Sequence, residues 1–169
     1  MSSPAAFLPE CSSTAAVLAD AVRLRGVADD AERHLLIRGV QWAEAHRADA
    51  DEVAYFEDES GTLPSVRWDA GVEFALAVGL SHQAGERLLH EGLELFHRLG
   101  LVWSRVLAGD LPAWRARRVA AVTLGLPGDV AAFVDEHVAA IAHKVGAIKL
   151  AKIVDEAMLR LYPEEREQA

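Results

Sequence analysis

Two stretches carry residue types and spacings that could do chemistry: "WRARR" at Trp114 to Arg118, and "ALAVGLSHQAGERLL" at Ala75 to Leu89. In the first, Arg115 and Arg118 lie three apart and share one helical face, early in a helix whose dipole does not favour cations there. An acidic partner is expected: a phosphate, or one of Glu86, Glu91, Glu94 and Asp110 within the chain. In the second, Ala75, Gly79, Leu80, Ser81 and Leu88 follow the order of a helix-turn-helix, with a small residue at the crossing, a glycine at the turn and apolar seats for the second helix. The same residues serve an ordinary interhelical corner. Gly85 stands where a seating residue belongs, and the second helix runs past the length of a compact recognition helix. His82, Gln83, Glu86 and Arg87 form its outer face on either reading. Lys149 and Lys152 lie on one side of a final helix, with Lys144 near its start.

The remaining reactive groups form no catalytic pattern. His90 and His97 are seven apart and roughly cofacial, but no HExxH or His/Cys cluster joins them. The acids of "YFEDES" lack the ligand order and central glycine of an EF-hand. No GxSxG, P-loop or dinucleotide loop occurs. The lone Cys11 precludes an intrachain disulfide and a four-cysteine zinc site. The residues imply no catalytic, metal-binding or cofactor-binding role for this chain.

The elements that must hold these residues are helical. The 169 residues, about half hydrophobic, suffice for one substantial core. Net charge is -9 and unevenly spread. Residues 1–66 carry 12 acids against 5 arginines, and residues 67–169 carry 14 acids against 12 basic residues. A polyanion meets the second part more easily. The start "MSSPAAFLPECSS" lacks a basic region followed by an apolar run, and no segment reaches membrane-spanning length, so the expectation is a cytoplasmic protein with no membrane partner.

Residues 1–12 read as a tail and 13–165 as a single helical domain. Ser13 caps a short helix stopped by Gly26, and Asp29 or Asp30 opens the next. An exposed acidic connection follows at about 49–65. A helix over Val66–Val78 stops at Gly79, and Ser81 caps a long helix to Leu99. Gly109 ends the continuation past Gly100, Pro112 sits in the first turn of the next helix, Asp129 caps another, and Pro163 ends the last. The four tryptophans occupy helical positions expected mainly to pack. The fold class is all-α, an irregular bundle of about seven or eight helices with a possible helix-turn-helix-like corner.

The runs "WAEAH" at Trp42 to His46, "EFALAVGLSHQAGERLL" at Glu73 to Leu89, "RLGLVWSRVLAGDLPAWRARRVAAVTLGL" at Arg98 to Leu126, and "KLAKIVDEAMLRLYPE" at Lys149 to Glu164 resemble the helical domain of unknown function family 222. The resemblance covers about residues 30–165. It departs at Gly100 and Leu101, where the family carries proline and a small residue, and at Pro112, where it carries a polar residue. Such domains are seen mostly in actinobacterial proteins that continue into an HNH endonuclease module. The resemblance therefore implies a non-catalytic accessory domain that contacts or positions duplex DNA beside a C-terminal nuclease module. No nuclease residue transfers, because the HNH ligands are absent here. The DNA-contacting candidates are His82, Gln83, Arg87, Arg115, Arg118, Lys149 and Lys152. The competing expectation is a protein-protein interaction or structural domain without DNA binding, favoured by the acidic charge and the long apolar helices. Oligomeric state is left open.

Overall fold

A computed structural model describes residues 13–166, so the tail expected at 1–12, with Cys11, lies outside the described residues. Within them the chain is an all-α bundle: α1 (Thr14–Ala45), α2 (Trp68–Ala77), α3 (His82–Arg98), α4 (Gly100–Ala108), α5 (Ala113–Thr123), α6 (Gly128–Val138), α7 (Ala147–Leu161) and a short α8 (Pro163–Arg166). Among the described residues there is no strand, only two isolated bridges joining Arg47 to Val66 and Ala54 to Arg67. No helix among them is long and apolar enough to cross a membrane.

The centre is α3, which packs against α1, α2, α4, α5 and α6. Its Leu88, Leu89 and Leu93 join Ala43, Phe74 and the loop residues Tyr55, Phe56, Leu63 and Val66 in one apolar cluster. Its Leu95, with Leu99 just past its end, joins a second, larger cluster built with Leu36 and Val40 of α1 and the apolar faces of α4 to α7. Burial on both sides explains its glycines. A Cβ on Gly85 would stand 2.5 Å from the Cβ and 3.3 Å from the Cα of Ala75, and one on Gly92 would meet Val40 at 3.0 Å. Gly85 is thus the crossing point of α2 and α3, and the missing seating residue is the price of that approach.

Several end signals act as the sequence predicts. Ser13 and Ser81 accept hydrogen bonds from the amides of Ala16 and Ala84. Gly79 and Gly109 turn the chain at φ of 71° and 79°. Others differ. Gly26 does not stop a helix: it lies within the unbroken 32-residue α1 and has no positive φ. The Arg25 guanidinium, 2.7 Å from Asp29 and 3.4 Å from Glu32, ties the turns on either side of it together. Asp129 lies inside the first turn of α6 and is not its N-cap, which is Pro127; its Oδ1 accepts the next amide, Val130, at 2.9 Å and the Tyr162 hydroxyl at 2.9 Å. The connection at 49–65 exposes most of its acids but is not merely an exposed loop, because Tyr55, Phe56 and Leu63 are buried from it. Trp103 is buried, yet Trp68 and Trp114 stand 50% and 41% exposed, so the four tryptophans do not all pack.

Replacing Gly85 by alanine should lower global stability by about 1–3 kcal/mol, because backbone as well as side chain must move. Gly26→Ala meets nothing within 4 Å. It should instead slow amide exchange over the first half of α1, by up to about 1 kcal/mol of local stability. Denaturant unfolding and hydrogen exchange check the pair; a neutral Gly85→Ala would refute the close crossing.

Candidate interaction surface

The buried ionisable groups form a spine along one side of α3. Glu94 is fully buried, and its Oε1 accepts the Thr123 hydroxyl at 2.6 Å while Oε2 faces Arg98 Nε at 3.4 Å, an ion pair without hydrogen-bond geometry. The other end of Arg98 donates to the carbonyls of Leu126 at 2.6 Å, Pro127 at 3.4 Å and Thr123 at 3.5 Å, and to Thr62 Oγ1 at 3.2 Å. One guanidinium therefore joins α3, the 58–63 turn and the α5–α6 connection. Burial pushes the Glu94 carboxyl up, against the Thr123 bond and the Arg98 charge. Glu91 is likewise pushed up by burial and opposed by Arg117, whose Nε lies 2.5 Å away. On α6, burial also raises Asp135, which accepts the free amides of Leu101 and Val102 at 2.8 and 2.9 Å and so caps α4 from outside.

One turn before Glu94, His90 stacks on Phe56 at 4.2 Å and its Nε2 is 3.9 Å from Asp58. Burial holds its pKa down, against the attraction of Asp58. Burial tends to raise Asp58 itself, but bonds from Leu63, Ser60 and Thr62 outweigh it and hold the carboxyl low. Of the acids of "YFEDES", Asp58 therefore organises a turn. His90 and His97 do not converge: His97 bonds Glu44 at 2.6 Å on α1. The spine joins helices and turns, and each of its charged groups is engaged in doing so.

Of the DNA-contacting candidates, the structure brings two together. Arg115 lies 4.5 Å and Arg118 6.0 Å from the centre of the Trp114 ring, and both line a narrow crevice against Val145 and Leu150 at the start of α7. Neither pairs with a carboxylate among the described residues, whereas Arg117 turns inward to Glu91. Lys149 and Lys152 are exposed on α7, Lys149 next in sequence to the crevice residue Leu150, and neither pairs with a carboxylate among the described residues. His82, Gln83 and Arg87 lie on another helix, on the exposed first turns of α3, with Arg87 near enough to Glu91 to act on its charge. Glu86 lies among them, 3.9 Å from His82. Beyond those turns α3 is enclosed by other helices, which makes it the core of the bundle.

The surface that residue-by-residue reading missed is on α1. Every residue from Thr14 to Val27 is exposed, so about 21 Å of helix projects from the body. It carries Val17, Leu18, Val22 and Leu24 into water, with Leu18 and Val22 each 67% exposed. These positions repeat the body-facing half of the same helix. Eighteen residues are five full turns, and that offset sets Val17, Leu18, Ala21, Val22 and Leu24 directly above Leu35, Leu36, Gly39, Val40 and Trp42. The lower set is buried or half-buried against the core, and the upper set has nothing to pack on. An 18-residue comparison along the sequence was the available signal, hidden by reading Gly26 as a stop. At the foot of the projection a groove of about 70 Å³ is lined by Leu35, Leu36, Leu88, Ala113 and Trp114, with Glu32 and Arg117 at its rim.

No protein-family profile, no curated protein and no solved structure matches this chain. That overturns what the likeness to family 222 implied: neither the HNH-endonuclease association nor an actinobacterial origin is supported, and the helical fold stands on its own.

Two outcomes test the spine. Arg98→Ala leaves Glu94 buried without its counter-charge and should cost about 3–5 kcal/mol in denaturant unfolding. For His90, a folded-state pKa below the ordinary value means that the unfolded chain takes up the proton first as pH falls below about 6.5. Its contribution is therefore present at neutral pH and lost on acidification. Stability should fall from pH 7.5 to 5.5, and His90→Gln should flatten that slope; an unchanged slope would assign the titration elsewhere.

Proposed function

We propose that this chain is a non-catalytic helical interaction module that docks a partner helix along the projecting half of α1. The observation that carries the reading is the five-turn repeat: the face that seats α1 on its own core is presented again, uncovered, above it. Fourteen residues of helix are marginal in water by themselves. Here they continue a helix already held by the body, so the projecting turns need no separate nucleation. Burying four large aliphatic side chains is worth on the order of 6–12 kcal/mol gross. Association and ordering offset at least about 4 kcal/mol of that. The balance corresponds to micromolar or weaker binding, the range of a reversible contact.

The test is hydrogen exchange of the full chain with and without a synthetic 18-residue amphipathic helix bearing a leucine stripe and neutral glutamine flanks. In the free chain the amides of Thr14–Val27 should exchange fastest among the helices of nine or more residues, and the peptide should protect them. Leu18→Glu with Val22→Glu should abolish that protection while moving global stability by no more than about 0.5 kcal/mol, since both side chains already lie in water. Protection that instead grows with protein concentration would identify a second copy as the occupant. No protection under either condition sinks the reading.

A further inference from the structure

Resting on that reading, we infer that the partner is an acidic amphipathic helix, whose apolar stripe lies along α1 and whose flanking carboxylates meet Arg115 and Arg118. Along one line of the helix Val17, Leu24, Ala28, Ala31 and Leu35 lead from the tip of α1 to the groove beside the half-exposed Trp114, while the Arg25, Asp29 and Glu32 cluster interrupts the neighbouring line between Leu18 and Leu36. A tryptophan at the end of an apolar strip is the kind of anchor on which interfaces concentrate binding energy. At the groove rim Glu32 faces Arg25 at 3.4 Å and Arg117 is held by Glu91, so the charges left beside the indole set the sign of the partner. The Arg115 guanidinium sits over the indole at 4.5 Å and Arg118 approaches it at 6.0 Å.

Neither cation has a carboxylate counter-charge among the described residues, although the chain has an excess of acids. Arg117, between them in sequence, already has Glu91, and Arg25 and Arg33 are held by acids of α1. A carboxylate arriving beside Trp114 would find two guanidinium groups whose donors are unspent, and Arg offers bidentate geometry to such a group. A partner with lysines there would meet two like charges.

An acidic peptide is favoured over duplex nucleic acid on two counts. The strip is mostly aliphatic, which suits a helix face and gives a phosphate backbone nothing to bind. The net charge of -9 also opposes a polyanion carrying one charge per about 1.7 Å far more than a peptide with a few local carboxylates.

The experiment is fluorescence anisotropy on the full chain at about 0.1 M salt. The probes are two labelled 18-residue helical peptides with the same leucine stripe, one flanked by glutamates and one by lysines. The glutamate peptide should bind at least about tenfold more tightly. Arg115→Glu with Arg118→Glu should erase or invert the preference, Arg115→Lys with Arg118→Lys should retain its direction, and circular dichroism should show all variants equally helical. Equal affinity for the two peptides, preference for the lysine peptide, or binding of neither overturns the inference. So does saturable binding of a 20-base-pair duplex that depends on these arginines while the glutamate peptide fails to compete. The two levels separate cleanly. Binding that depends on Leu18 and Val22 but shows no charge preference removes only the acidic partner. Binding indifferent to Leu18→Glu with Val22→Glu removes the docking reading itself.

Discussion

A carboxylate at zero exposure in the middle of the central helix is the constraint around which the bundle is arranged. Glu94 cannot be left alone in an apolar interior, where an unpaired charge costs several kcal/mol. Its Oε1 accepts the Thr123 hydroxyl at the end of α5, while Oε2 has no hydrogen bond and faces only the charge of Arg98, one turn along α3. Arg98 in turn brings a buried guanidinium that must spend its own donors. It does so on carbonyls of the α5–α6 connection and on Thr62. Satisfying one buried acid thereby fixes where α5 ends, where α6 begins and where the 58–63 turn is held. The same logic recurs at Asp135, whose burial is compensated by the open amides of α4. Polar groups in this core act as locators, while the aliphatic clusters on both sides of α3 supply the bulk of the stabilisation.

The projecting half of α1 is built on the opposite principle. No buried polar group fixes it, and its charged residues pair locally, Arg23 with Asp20 and Arg25 with Asp29. Exposed pairs of this sort contribute only a few tenths of a kcal/mol each. They suffice to carry the helix across Gly26, because the junction has to be maintained and not nucleated. The exit from the body is also braced: Arg33 donates to the carbonyl of Leu107 at 3.4 Å, and its guanidinium fills the space beside Gly109. The outer turns therefore inherit their direction from the body without being packed on it.

Local signals in the sequence were readable where a single residue decides the outcome. Ser13 and Ser81 cap, Gly79 and Gly109 turn, and the spacing of apolar residues marks nearly every helix. What could not be read there depends on partners distant in the chain. Gly26 looks like a stop until the salt bridges around it and the absence of any neighbour are seen. Gly85 looks like a defect in a DNA-reading corner until Ala75 is found against it. The acidic run at 49–65 suggests a solvated connection, yet its aromatic pair at Tyr55 and Phe56 plugs the core, and Asp58 organises the turn with its own neighbours. Arg115 and Arg118 were correctly placed on one face. That Arg117 alone would find an internal acid follows from α5 packing on α3, which no spacing rule contains.

Net charge and local charge thus point in different directions, and the distance scale decides between them. At physiological salt, fields decay over about 8 Å, so a contact at the Trp114 end of α1 is governed by the arginines within 4.5–6.0 Å of that ring more than by acids spread over the rest of the bundle. The global excess of acid still acts on approach, slowing the encounter of any acidic partner at low ionic strength. Raising salt should then have two opposed effects, relief of the long-range repulsion and weakening of the exposed Arg-carboxylate contacts. Because the apolar strip is indifferent to both, the affinity of such a partner should vary little with salt. A duplex, bound through many phosphates, would lose affinity steeply over the same range.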